Sequence, residues 1–222
     1  MRPTAILMLL LIGHLSFSQT INGMQLMDAE TYQLLFANEK DPCAVSEIYK
    51  DKSQERNDST IYYLHIAEQL SQKCDDLDAR TFVRFDLAET FAATGNHEMA
   101  LKYLNLALTD FSLIQDTIYV AKTYKAIGVN YKRTSKYIEA LNAYNAAAHY
   151  FCLADDSTGI AAIELNIGTI LKSMNRYDQA KQKYHSALYR FQQLEVDESI
   201  ADCQNNLGNV FKNEENYDSA FY

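Results

Sequence analysis

The side chains that do acid–base, nucleophilic or metal chemistry are scattered through this sequence rather than gathered. Its five histidines lie singly: His14 falls in an apolar N-terminal run, and His65, His97, His149 and His185 have no ligand-type residue four positions on, the spacing that sets two ligands on one helix face. There is no HExxH, no GxSxG, no glycine-rich phosphate loop and no CxxC, the motifs that would announce a zinc protease, an acyl-transfer serine, a nucleotide site or a redox pair. A protein that is not an enzyme, with no metal and no cofactor, is therefore expected. The clustering that does stand out is cationic and periodic. Lys132, Lys172 and Lys212 stand at equal intervals.

The net charge is −9, with acidic residues spread along the chain. Phosphate backbones need a net basic face that releases counterions, so nucleic acid is not an expected partner. Four cysteines leave one candidate disulfide. Cys43 opens one expected helix and Cys74 closes the next, and in an antiparallel hairpin those ends lie side by side at disulfide distance. Cys152 and Cys203 read instead as small apolar core residues. Asn57-Asp58-Ser59 matches a glycosylation acceptor but serves equally as a helix N-cap.

The elements that position these residues follow from composition and period. With 48% hydrophobic residues, 22% charged, two prolines and seven glycines, the chain is globular, poor in breakers and rich in helix formers. Residues 1–18 place Arg2 before an apolar run from Ala5 to Ile12 and small residues at Ser16 and Ser18. That is the layout of a signal peptide, the run being well short of the ~20 residues a spanning helix needs. The expected location is outside the cytoplasm, periplasmic or extracellular.

Beyond it the sequence repeats with a period of 40. Ala67, Ala107, Ala147 and Ala187 form one column, Ala100, Ala140, Ala180 and Ala220 a second, and Ala88, Gly128, Gly168 and Gly208 a third, with Phe111, Phe151 and Phe191 adding a fourth. Apolar spacing within a unit, as in Leu87, Phe91, Ala100, Leu104, Ala107 and Phe111, predicts two helices per unit. Short turns are expected at Thr94-Gly95-Asn96, Thr134-Ser135-Lys136, Met174-Asn175-Arg176 and Glu214-Glu215-Asn216. N-caps are expected at Asp116, Asp156 and Asp197.

These columns, carried by AIGVNY with YIEALNAY, NIGTIL with YDQAKQKY, and NLGNVF with YDSAFY, resemble the tetratricopeptide repeat (TPR). The unit here is longer than the family's usual one of about 34 residues. The extra length is expected to extend the second helix and its exit loop. The resemblance implies an all-α fold, a right-handed superhelical α-solenoid of helix-turn-helix repeats. On it the chain divides into a signal peptide (1–18), a capping segment (19–40), a degenerate repeat (41–80), repeats at 81–120, 121–160 and 161–200, and an incomplete repeat (201–222), read as part of a longer chain. A membrane enters only if the chain continues past 222.

The resemblance further implies that first helices line a concave groove holding a protein or peptide ligand. By position its lining is Lys122, Lys125, Lys132 and Arg133, then Asn166, Thr169 and Lys172, then Asn205, Asn206, Asn209 and Lys212. Lysines there meet carboxylates and asparagines meet peptide backbone, so an acidic or C-terminal peptide is the expected ligand. Val129 and Leu165 depart from the carboxylate-clamp pattern of chaperone-type relatives. Behind a signal peptide, this repeat style looks like the extracytoplasmic sensor part of bacterial signalling proteins; a non-signalling scaffold for envelope proteins is the alternative. One substitution tests the small columns: Ala147→Leu is expected to lower stability by ~1–3 kcal/mol in a thermal melt.

Overall fold

The computed structural model describes Lys50, residues 60–72 and residues 77–220, with side chains to residue 214. The described residues all lie in one compact unit, Pro42–Tyr222. The expected signal peptide at 1–18, the segment 19–40, Cys43 with Cys74, and Asn57-Asp58-Ser59 lie outside the described residues. What is described is helical: α1 (Thr60–Ser71), α2 (Leu77–Ala93), α3 (His97–Leu113), α4 (Thr117–Arg133), α5 (Tyr137–Leu153), α6 (Ser157–Ser173), α7 (Tyr177–Gln193) and α8 (Asp197–Ala220).

Helices α2 to α7 each have 17 residues, and three residues join each to the next. The middle residue of every joint is left-handed: Gly95, Gln115, Ser135, Asp155, Asn175 and Glu195 have φ between 55° and 81°. Each joint closes with the same pair of hydrogen bonds, as where Asn96 N donates to Phe91 O and Gly95 N to Ala92 O. That is the Schellman closure, which satisfies carbonyls the helix end leaves free. Five of these six residues are not glycine, so the closure and the packing on both sides hold a conformation that costs L-residues roughly 1–2 kcal/mol. The joints between units are therefore as short as those within them. The longer exit loop expected from the sequence is absent.

Capping finishes the joints. Asn96, Asp116 and Asp156 accept from the backbone N–H of Met99, Tyr119 and Gly159. Asp197 differs from the expected cap: it is the first residue of α8, where its charge faces the positive end of the helix dipole. The turn expected at Glu214-Glu215-Asn216 also does not form, for α8 runs on to Ala220. Two glutamates are strong helix formers, which favours the continuous helix.

Each helix packs on the next, and α2, α4, α6 and α8 also touch in succession along one side of the stack. The core between them is made of the repeat columns. Ala107, Ala147 and Ala187 are sealed from solvent, as are Phe111, Phe151 and Phe191. Phe111 stacks on Tyr119 at 4.9 Å and meets Phe82 edge-on at 5.4 Å, tying α2, α3 and α4 together. Cys203 is in this core, but Cys152 is exposed, because the neighbouring Phe151 takes the inward direction on α5 and leaves Cys152 facing out.

The small column is matched to the large residue it faces. A Cβ at Gly128 would lie 2.5 Å from the Tyr144 ring, and one at Gly168 would lie 2.7 Å from Tyr184. In the first unit the corresponding pair is Ala88, larger by a methyl, and Leu104, smaller by a ring. At Gly208 a Cβ meets nothing within 4 Å.

A cluster of charges absent from the sequence reading joins α1 to the first unit. Arg84 bridges Glu68, at 3.3 Å, and Asp110, which Arg80 also approaches at 3.5 Å. Tyr103 donates to Glu68 at 3.4 Å and stands within 3.4 Å of His65 Nδ1. Both carboxylates are buried and both are paired with arginine. The cluster is thus a tie between helices, and losing one member would leave a buried charge uncompensated.

Gly128→Ala is expected to cost about 1–3 kcal/mol in urea unfolding, whereas Gly208→Ala is expected to be neutral or to gain up to ~1 kcal/mol from helix propensity. Combined with Tyr144→Leu, which recreates the Ala88–Leu104 pairing, Gly128→Ala should cost less than the two single changes summed.

Candidate functional site

The alternation of first and second helices leaves the faces of α2 and α4 side by side with small residues between them. Ala88, Ala92 and Ala126 are too short to fill the space, and a groove of about 740 Å³ results. Helix α2 also contributes Phe85, Asp86 and Glu89 to it, and α4 contributes Tyr119, Lys122, Lys125, Val129, Asn130 and Arg133. The groove has acidic groups on one helix and basic groups on the other.

Each charge has a physical setting. Lys122 holds its ammonium 4.4 Å from the centre of the Tyr119 ring, a cation–π contact that leaves its N–H groups available. Among the described residues no carboxylate pairs with Lys122 or Lys125. Arg133 donates to the Ala92 carbonyl at 2.9 Å, pinning the end of α4 to the end of α2. Burial pushes the Asp86 carboxyl up to about 6; the Lys50 ammonium opposes that rise and Glu89 adds to it.

Asn130 is the anomaly. It is 1% exposed, and its Oδ1 and Nδ2, both themselves closed to solvent, have no hydrogen-bonding partner among the described residues. A buried amide left unpaired costs about 1–3 kcal/mol for each orphaned group.

The residues expected to form the groove lining separate into four groups. Lys122, Lys125 and Arg133 line the groove together with Val129. Lys132, Asn166, Lys172 and Asn206 instead form a ladder between units: Lys132 donates to Asn166 Oδ1 at 2.9 Å, and Lys172 donates to Asn206 Oδ1 at 3.0 Å. Burial lowers the pKa of both lysines, and for Lys132 the nearby charges of Arg133 and Lys172 lower it further. Thr169 donates to the Leu165 carbonyl and accepts from Tyr184 at 3.4 Å. Asn205, Asn209 and Lys212 are exposed on α8. The periodic lysines Lys132 and Lys172 are thus each tied to an asparagine of the following unit.

Sequence reasoning missed Asp86, Glu89 and Asn130. For Asn130 a signal existed: its column reads Thr90, Asn130, Ile170, Val210, an amide among residues that belong in a core. For the two acids there was none, since surface carboxylates are common throughout the chain.

Among the described residues no group of histidine, cysteine and acidic side chains is placed to hold a metal ion, and no helix is long and apolar enough to cross a membrane. No family model matches the chain, and no curated protein matches it in sequence. Solved structures do match in fold. The apo form of RapI superposes with a TM-score of 0.72 at 18% identity, over 86% of this chain and 56% of RapI. The TPR-like repeats of a kinesin light chain from Podosopora anserina give 0.63 at 12% identity, over 82% of this chain and 91% of theirs. The Rap conjugation gene regulator of plasmid pLS20, solved in complex with the Phr* peptide, gives 0.57 at 16% identity, over 78% of this chain and 59% of that one. The chain thus spans less than two thirds of the length of either Rap protein. The fold is that of TPR-type helical repeats, an all-α solenoid.

Asp86 gives the groove a pH signature. Its folded-state pKa lies above its ordinary value of 3.8, at about 6, so the native state holds the proton more tightly than the unfolded chain. Stability must therefore fall as pH rises through that window. Asp86→Asn is expected to raise the melting temperature at about pH 7.5, with the advantage shrinking towards about pH 4; melts across that range check it.

Proposed function

We propose that this chain is a protein-interaction scaffold that holds an extended peptide segment in the groove between α2 and α4. The observation that carries the reading is the groove itself, partly open to solvent and lined by alanines together with Lys122 and Lys125, with which no carboxylate among the described residues pairs. An extended peptide presents carboxylates and backbone groups together, which is what lysines, arginine and an amide side chain bind. Two structures of the same fold support it, one with the Phr* peptide and one with Competence and Sporulation Factor.

The acidic character expected of the ligand applies to the part lying along α4. Asp86 and Glu89 on α2 favour a basic or amino group on the opposite edge. Export by the N-terminal segment, and a role as the sensing part of a signalling protein, belong to this proposal too, resting on the layout of residues 1–18. Catalysis is no part of it.

A displayed library of random peptides selected on the wild-type protein tests the reading. The enriched peptides are expected to carry acidic groups and to bind Lys122→Glu/Lys125→Glu at least about ten-fold more weakly, with wild-type affinity falling as salt rises. Peptides that bind the double variant as well as wild type would place the site elsewhere and overturn the proposal.

A further inference from the structure

Successive first helices are joined by side chains that recur at fixed places in the repeat. Between α4 and α6 the Asn166 Oδ1 accepts from Lys132 at 2.9 Å and from the Tyr144 hydroxyl at 3.4 Å. Between α6 and α8, Lys172 donates to Asn206 at 3.0 Å. One unit before Lys132, Asn166 and Tyr144, the same three positions hold Ala92, Ala126 and Leu104. The rung has thus lost all its polar ends between α2 and α4, and the three residues that replace it all line the groove. The groove lies where this level of the stack builds no rung. What ties the two helices there is Arg133, which donates to the Ala92 carbonyl at 2.9 Å.

The replacements decide what fits. A lysine, an amide and a phenol have given way to two methyl groups and an isobutyl group, side chains that offer contact surface but neither donor nor acceptor. Phe85 and Val129 add to that surface. A polar group seated against these side chains would lose water with no hydrogen bond in return, whereas an apolar one gains by leaving water. Lys122 and Lys125 line the same groove, and no carboxylate among the described residues pairs with them. We infer that the missing rung is an anchor subsite, which receives one bulky apolar side chain of the bound segment while a neighbouring carboxylate of that segment meets Lys122 or Lys125. The inference rests on the peptide-binding reading above and adds the side chain that the groove selects. It also explains why selection falls at this level of the stack: between α4 and α6, and between α6 and α8, the protein's own lysine and asparagine span the gap.

Peptides enriched on the wild type by the library selection are expected to share one bulky apolar residue with an acidic residue close to it. Replacing that apolar residue by alanine should weaken wild-type binding at least about ten-fold. Ala126→Leu, which puts hydrocarbon into the gap without changing the charge, should weaken the parent peptide by a similar factor and its alanine form much less, because the two side chains compete for one space. Ala92→Lys/Ala126→Asn, which restores the lysine and the amide of the rung, should likewise exclude the parent peptide. Enriched peptides with no common apolar residue, or a parent peptide that binds Ala126→Leu as well as wild type, would overturn the anchor while leaving the groove reading intact through its dependence on Lys122 and Lys125. The alanine scan of the peptide is read on the wild-type protein, so a full-strength alanine form overturns the anchor whether or not the filled variants fold. A selection that enriches no peptide would remove the groove reading, and the anchor with it.

Discussion

A left-handed residue closing each helix with two backbone hydrogen bonds is the constraint on which the rest of this molecule depends. It fixes each joint at three residues and sends the chain straight back on itself, whether the joint lies within a unit or between units. Joints of equal length connect helices of equal length, so the repeat keeps a single period throughout. The same columns therefore meet the same partners all along the stack. Changing one joint by a residue would rotate the following helix by roughly 100° and turn its alanine column out of the core.

From that regularity the packing follows as pairs of complementary size. Glycine stands under tyrosine in two units, so those helices approach each other closely, and the corresponding positions in the first unit carry alanine and leucine. The inner side of the stack, where first helices touch, is where regularity relaxes. Ala88, Ala92 and Ala126 do not fill the gap between α2 and α4, and the resulting groove collects the side chains with unspent bonding capacity. Elsewhere several polar groups are paired within the fold. Lys132 and Lys172 are bonded across units, and Glu68 and Asp110 are bridged by arginine.

The two charge systems also show why the same residue type has different roles in one chain. Lys132 and Lys172 of the periodic column sit where the next unit supplies an asparagine carbonyl, and they act as clamps between repeats. Lys125 and Lys122 precede Lys132 on α4 by about two and about three turns. There they line the groove, and no carboxylate among the described residues pairs with them. Spacing alone does not separate these roles, because both sets lie on first helices of the repeats.

Sequence by itself determined the repeat, its period, the two-helix unit and the identity of the core columns, because burial at helical spacing is a local pattern that the repetition shows several times over. It also located the caps at Asp116 and Asp156, since capping is decided within four residues. What it misjudged was decided by neighbours. The exit loop is short because the following helix has to pack, and Cys152 faces out because Phe151 faces in. Only the tertiary structure decided which groove lysines are spent on asparagines, which carboxylates lie opposite them and that Asn130 is left unpaired. The reason is that a hydrogen bond between side chains of successive units depends on the spatial register of two helices, which no single helix encodes.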